Sequence, residues 1–259
     1  MDAAHGMPHE NLIYIGVDDT DNLDSRGTGF LARSLSEALA ADGLVAPREV
    51  TRHQLFVSPA IPYTSHNSSA CLTVEPLATE EAILRLAEDF VRGRAAPGSD
   101  PGVAVAQVRQ VSAAVLEFGL RAKREVLTMD LARETAAVAG IHLSGLGGTR
   151  QGIIGSLAAV ALRHSGSDGR FLWLKGIREM KGTYSVADLL AKSGVIRLRP
   201  DGNGDGVDPA PTDTIDVGEW FRPVLLDGVP TLLIRLAGPD EASGHRRWQI
   251  EAKDAIKEY

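Results

Sequence analysis

Apolar and polar positions change period along the chain, and the blocks they form predict a β-α-β-β-α-β opening. Leu12, Ile13, Ile15 and Val17 read as a buried strand. Between Gly29 and Gly43, residues Phe30, Leu31, Leu35, Ala38 and Leu39 recur at helical spacing, and Gly43 supplies the stop. Strand-like runs follow at 49–57 and 70–74, with a turn-rich stretch at 58–68 between them. Thr79 reads as the N-cap of a helix reaching Arg92, with Glu80 and Glu81 in its first turn and an apolar stripe of Ile83, Leu84, Leu86, Ala87, Phe90 and Val91. After a loop at 93–102, residues 103–108 form a fourth strand. This order is the split βαβ, or ferredoxin-like, plan.

Beyond residue 110 the pattern turns helical, at 111–126 and 129–138. A third helix opens after the glycine-rich stretch 145–152 and runs through 153–163. A strand at 171–175 and a short helix at 185–192 come next. Asp227-Gly228 then marks a hairpin turn, and Pro223 and Pro230 favour an edge position for its strands. The expected class is α/β in the α+β sense. A ferredoxin-like unit spans 1–110, followed by a mixed helix and strand region at 111–259.

The 259 residues carry a formal charge of −7, which argues against a broad nucleic-acid-binding face. The single cysteine, Cys71, sits in an apolar run, so an intramolecular disulfide and a cysteine zinc cluster are both excluded. Residues 1–10 lack the apolar core of a secretion signal, and no stretch has the length of a membrane span, so the expected location is cytoplasmic.

The candidate chemistry concentrates in three places. Asp18, Asp19 and Asp21 follow the first apolar run, and three carboxylates that close repel one another unless a hard cation or a proton intervenes. They would equally serve as an acidic turn. The segment from Gly145 to Gly155 offers a flexible backbone and a helix start suited to phosphate, with Gly147, Gly148, Thr149, Arg150 and Gly152 as contacts. Its spacing is neither a Walker motif nor a dinucleotide fingerprint, and tight helix packing would also explain its glycines. Ser25-Arg26-Gly27-Thr28-Gly29 precedes a helix. There Gly27 and Gly29 could approach phosphate, while Thr28 caps the helix, binds a cation or accepts a phosphoryl group.

Around a possible acceptor, Tyr63, His66 and Asn67 stand in one loop, and His66 would titrate near neutral pH as a base. His53 and His142 read as packed or surface histidines. Residues 201–208 match the first half of a calcium loop, but Thr212 stands where a bidentate Glu is required, so a mobile acidic loop is expected. Lys175, Arg178 and Lys181 form either a local basic edge or a solvated face.

Gly16-Val17-Asp18-Asp19-Thr20-Asp21, the Gly-Thr-Gly turn after it, the Ile61-Pro62 loop and Gly152-Ile153-Ile154-Gly155-Ser156-Leu157-Ala158-Ala159 together resemble the tRNA-Ile agmatinylcytidine synthetases. The resemblance covers 12–178, the part similar to that family's kinase-like and ferredoxin-like regions. It implies ATP and Mg²⁺ as cofactors, metal and nucleotide carboxylates at Asp18, Asp19 and Asp21, and a phosphate-accepting threonine at Thr28. Where the family carries a Lys-Thr-Arg-Gly-Asn run, this chain reads Thr64-Ser65-His66-Asn67-Ser68, two cations fewer. With one cysteine, this chain is not expected to carry that family's OB-fold and zinc ribbon.

The expected function is therefore a Mg²⁺- and ATP-dependent phosphotransferase or ATP-using synthetase with a small-molecule acceptor. Asp18, Asp19, Thr28 and His66 are the expected catalytic groups. A nucleotide-binding regulatory subunit without turnover and the catalytic half of a split tRNA-modifying enzyme are the alternatives. A homo-oligomer fits either, and no membrane partner is expected.

Overall fold

The computed structural model describes residues 11–61, 66–201, 207–239, 244–252 and Ile256. The chain divides into two compact units, Met1–His164 and Ser165–Tyr259.

The first unit begins as the hydrophobic pattern predicts. It runs β1 (Ile13–Asp18), α1 (Thr28–Ala41), β2 (Val45–Gln54), β3 (Ser68–Pro76), α2 (Glu80–Arg94) and β4 (Gly102–Gln107). Thr79 caps α2, its hydroxyl accepting from the Ala82 amide. Helix α1 differs at its start, where Gly27 holds the cap position with φ 77° and Thr28 is already the first helical residue. Strand β2 begins four residues before the apolar run that announces it, because Val45 to Pro47 pair with the end of β3 despite their mixed character.

Three helices and one strand complete the unit: α3 (Ala113–Ala122), α4 (Met129–Ala139), β5 (His142–Gly145) and α5 (Gly152–Ser165). The sheet order is β5-β4-β1-β3-β2, every neighbouring pair antiparallel. Alternate residues of β1 serve opposite faces. Tyr14, with Cys71, Ala104 and Ala106 of the neighbouring strands, belongs to one buried cluster with Phe118, Ala132, Leu157 and Ala161 of α3, α4 and α5. Helices α1 and α2 pack on the sheet as well. The boundary expected at residue 110 therefore falls at 164, since the helices assigned to a second region share the core of the first sheet.

Small residues let α5 lie almost on the strands. A methyl group on Gly16 would come within 2.0 Å of the Ser156 carbonyl oxygen, and one on Gly102 within 2.1 Å of the Gly152 carbonyl carbon. Both glycines are obligatory for this approach. Every residue from Gly152 to Leu162 except Ile154 is buried.

The second unit contains β6 (Arg170–Leu174), β7 (Thr183–Ser185), α6 (Val186–Lys192), β8 (Arg197–Pro200), β9 (Thr214–Asp216), β10 (Val224–Leu226), β11 (Val229–Pro239) and β12 (Arg246–Ile250). Their order is β6-β10-β11-β12-β9-β7, with β8 parallel to β11. The Asp227-Gly228 hairpin forms as expected, with both residues at positive φ. Its second strand is not an edge, because β11 pairs with β10, β12 and β8. Pro230 is tolerated there as the second residue after the turn, where its carbonyl accepts from the Ile196 amide. The core gathers Phe171, Leu189, Ile215, Leu232 and Trp248. Most of the half calcium loop, 202–206, lies outside the described residues. Among those described, no helix is long and apolar enough to cross a membrane.

Candidate functional site

Strand β1 ends at Asp18, and the chain then turns sharply through Asp19, held at φ 52°. Such a conformation is uncommon for a residue with a side chain and tends to mark functional turns. It places Asp18, Asp19 and Asp21 on the wall of one cavity of about 120 Å³. Gln151, Gly152, Ile154 and Gly155, at the start of α5, line the same cavity. The acidic strand end and the glycine-rich helix start thus converge.

The join is tight. A methyl group on Gly155 would stand 1.9 Å from Asp18 Oδ2, and one on Gly152 would stand 3.1 Å from the Asp18 carbonyl oxygen. Burial first, then the charges of Asp19 and Asp21, push the Asp18 carboxyl well above the usual carboxylate range, against a main-chain N–H of Asp19 that opposes the shift. Burial also raises Asp19, opposed by the Asp100 N–H and reinforced by the charges of Asp100 and Asp21.

Thr28 Oγ1 is buried in a small web. It donates to Asp21 Oδ1 at 2.8 Å and accepts from the Thr20 amide at 3.3 Å and hydroxyl at 3.1 Å. Helix α1 thereby fixes the acidic loop, and a hydroxyl facing the cavity acquires a carboxylate partner. His66, Asn67, Ser68 and the carboxylate of Glu125 add further polar lining, with His66 exposed. Leu55, Ile61, Ala122, Val126 and Leu127 make an apolar wall opposite the carboxylates. Tyr63 lies outside the described residues.

Not every expected residue reaches this cavity. Gly147, Gly148, Thr149 and Arg150 do not line it, and neither do Gly27 and Gly29. The reason for the first group lies in Asp100, a residue outside every motif. Its Oδ1 accepts the Thr149 amide at 2.8 Å, its other oxygen accepts the Thr149 hydroxyl, and its carbonyl accepts the Gly152 amide at 3.0 Å. A side chain on Gly148 would collide with the same carboxylate. The anion held by the glycine turn is thus one of the chain's own. The available signal is Asp100 itself, the one carboxylate in the loop just before β4. Gln151 and Glu125 are further polar cavity residues to which spacing assigns no role.

The remaining candidates have structural partners. His53 is buried against the Thr51 hydroxyl at 2.8 Å, and His142 bonds Glu88 at 2.8 Å. Burial pushes the Cys71 thiol up, so it is an inert core group. Lys181 pairs with Glu219 at 3.2 Å, and Arg178 donates to the Leu172 carbonyl at 3.4 Å.

Among the described residues, no group of three or more His, Cys, Asp and Glu is arranged to hold a metal unaided. The site still suits Mg²⁺, which takes one or two carboxylates and leaves its other positions to water and phosphate. Asp18 and Asp19 are the fitting pair, since their crowding disfavours both charges without a counter-ion.

No protein-family model and no curated protein matches the chain. Solved structures do. A tRNA fluorescent labeling enzyme matches at 24% identity and TM-score 0.52, over 58% of this chain and 36% of the other. Apo TiaS, a tRNA agmatidine synthetase, matches at 22% and 0.50 over 58% and 35%. TiaS in complex with its tRNA and ATP matches at 23% and 0.50 over 58% and 36%. The chain spans roughly a third of the length of these proteins, and at such identity what it shares with them is the fold.

Proposed function

We propose that the first unit carries an ATP-dependent phosphoryl-transfer site, in a Mg²⁺-assisted phosphotransferase or synthetase acting on a small-molecule acceptor. One observation carries the reading: the Asp18 carboxylate lies against Gly155 at the mouth of a helix, in a cavity that Thr28 shares. Phosphoryl transfer asks mainly for positioning and charge neutralisation, and this arrangement supplies both. Asp18 and Asp19 would hold the cation, which, when bound, offsets charge on the phosphate oxygens. Gly152 and Gly155 let the start of α5 sit directly against Asp18, so that the helix end, in place of the expected 147–150 turn, would face the phosphates.

Thr28 is the candidate acceptor or relay. Its oxygen would bond to the γ-phosphorus while its proton passes to Asp21, and the bond from that phosphorus to ADP would break with its electron pair leaving on ADP. His66 at the cavity mouth would take the proton of a second acceptor. At about 120 Å³ the cavity is smaller than the roughly 300–1,000 Å³ of a full ligand pocket. It suits the reacting phosphates and the acceptor group, with the nucleoside lying outside.

The net charge of −7 favours a small acceptor over RNA. The fold shared with a tRNA- and ATP-bound structure supports the second reading, the catalytic part of a tRNA-modifying assembly. Calorimetric titration with ATP and Mg²⁺, followed by mass spectrometry of the protein, tests the proposal. The expected result is saturable binding, lost in Asp18→Asn, and a phosphate adduct absent from Thr28→Val. Equal ATP binding by Asp18→Asn and wild type would reject it. Binding without turnover against any acceptor would indicate a regulatory subunit, and tRNA co-purifying with the chain would favour the tRNA reading.

A further inference from the structure

The second unit holds a buried cation for which the phosphoryl-transfer reading has no use. Arg170, the first residue of β6, is 8% exposed, and among the described residues its guanidinium makes no hydrogen bond or ion pair. Burial without compensation lowers its pKa. Taking a charge even partly out of water is unfavourable unless something pairs with it. An anion entering beside Arg170 would supply the missing partner.

Arg170 opens into a cavity of about 200 Å³ with an apolar floor that includes Phe221 and Ile250. Trp220 forms part of its wall and is 44% exposed, with the Arg222 guanidinium 4.5 Å from its ring centre. Gly218, Glu219, Glu251 and Ile256 also line it. Each feature selects chemistry. A planar guanidinium takes a phosphate or carboxylate through two parallel hydrogen bonds. An exposed indole beside an arginine is a stacking platform for a planar base. Carboxylates accept from ring amino groups and oppose a long polyanion.

We infer that this cavity is a second ligand site, which takes a nucleoside monophosphate with its phosphate on Arg170 and its base against Trp220. The same chemistry is presented by a free mononucleotide and by one nucleotide of a single RNA strand. The two carboxylates, which oppose a long polyanion, favour the free molecule. The site stands independently of the Asp18 cavity.

Trp220 makes the inference measurable on the full chain. AMP should quench tryptophan emission saturably, and adenosine, which lacks the phosphate, should bind at least about tenfold more weakly. Arg170→Gln should weaken AMP about tenfold or more, while Arg170→Lys, which keeps the charge without the fork, should fall between. The Arg170→Gln protein should melt no lower than wild type, because it removes an uncompensated charge; an arginine with a merely structural role would lower the melting point on removal. Trp220→Phe should abolish the signal while calorimetry still detects AMP. Asp18→Asn should leave the quench intact, so failure at one site is separable from failure at the other. A short single-stranded RNA binding no better than AMP assigns the free nucleotide, and tighter binding with the same Arg170 dependence assigns the strand. No saturable response to either up to about 1 mM, or an Arg170→Gln affinity within about twofold of wild type, overturns the inference.

Discussion

At the scale of single residues, Asp18 couples stability to pH with a definite sign. Its carboxyl binds a proton more tightly in the folded chain than in the unfolded one. Without a cation, its contribution is therefore fully present below about pH 3.9 and is lost as pH rises through the folded value. Asp18→Asn should raise stability at neutral pH by on the order of 1 kcal/mol while eliminating Mg²⁺-ATP turnover. Urea unfolding of both proteins across about pH 4 to 8 checks this, and a destabilised Asn variant would refute it. Gly155→Ala offers a contrast. Its methyl group meets the Asp18 side chain from Oδ2 back to Cβ and would displace that carboxylate, so ATP affinity should drop about tenfold or more. Gly16→Ala meets a backbone carbonyl instead, and should cost about 1–3 kcal/mol or more in urea unfolding.

At the scale of elements, legibility follows the range of the forces involved. The α2 helix is readable because its cap and stripe are local, and the Asp227-Gly228 hairpin because its turn chemistry is. Strands β7, β8 and β9 are not, since three or four residues such as Arg197-Leu198-Arg199-Pro200 show no usable alternation and acquire strand geometry only from their neighbours. The layer to which α3, α4 and α5 belong is equally hidden. Periodicity says that a helix has an apolar face but not which sheet covers it; the shared buried cluster and the contact of Gly16 with Ser156 show that. In the site, Asp18, Asp19, Asp21 and Thr28 are legible from spacing. The Asp100 grip on the glycine turn is not, because it joins residues 49 apart.

Another element carries a pH signature of opposite sign. Asp213 is buried, which by itself would raise its pKa, but the Trp248 indole, the amides of Ala210 and Arg246 and the Arg246 charge outweigh burial and lower it. Its stabilising contribution is present above about pH 3.9 and is lost as pH falls through the depressed folded value. Asp213→Asn should cost about 1–3 kcal/mol at neutral pH and flatten the acid limb, as read from the emission of the buried Trp248.

At the scale of the whole molecule, the two units differ in what they report. All three tryptophans, Trp173, Trp220 and Trp248, lie in the second unit, whereas the Asp18 cavity belongs to the first. Each unit has its own buried core, so two unfolding steps are expected. Mg²⁺-ATP should move the step seen by circular dichroism alone, and AMP the step seen by tryptophan emission. Each shift should approach about 2.7 kcal/mol at roughly a hundredfold excess over the dissociation constant. A single transition moved equally by both ligands would show that the units unfold together.

The Asp100 carboxylate inside the glycine turn has a further consequence. A loop that becomes ordered only when a ligand arrives loses affinity to that ordering. Here an internal anion has already set the shape of 148–152, so the entropic penalty is met during folding. The amides of Thr149 and Gly152 should resist hydrogen exchange as strongly before nucleotide is added as after. Asp100→Ala would release them, turning a rigid rim into one that must be frozen anew at every binding event.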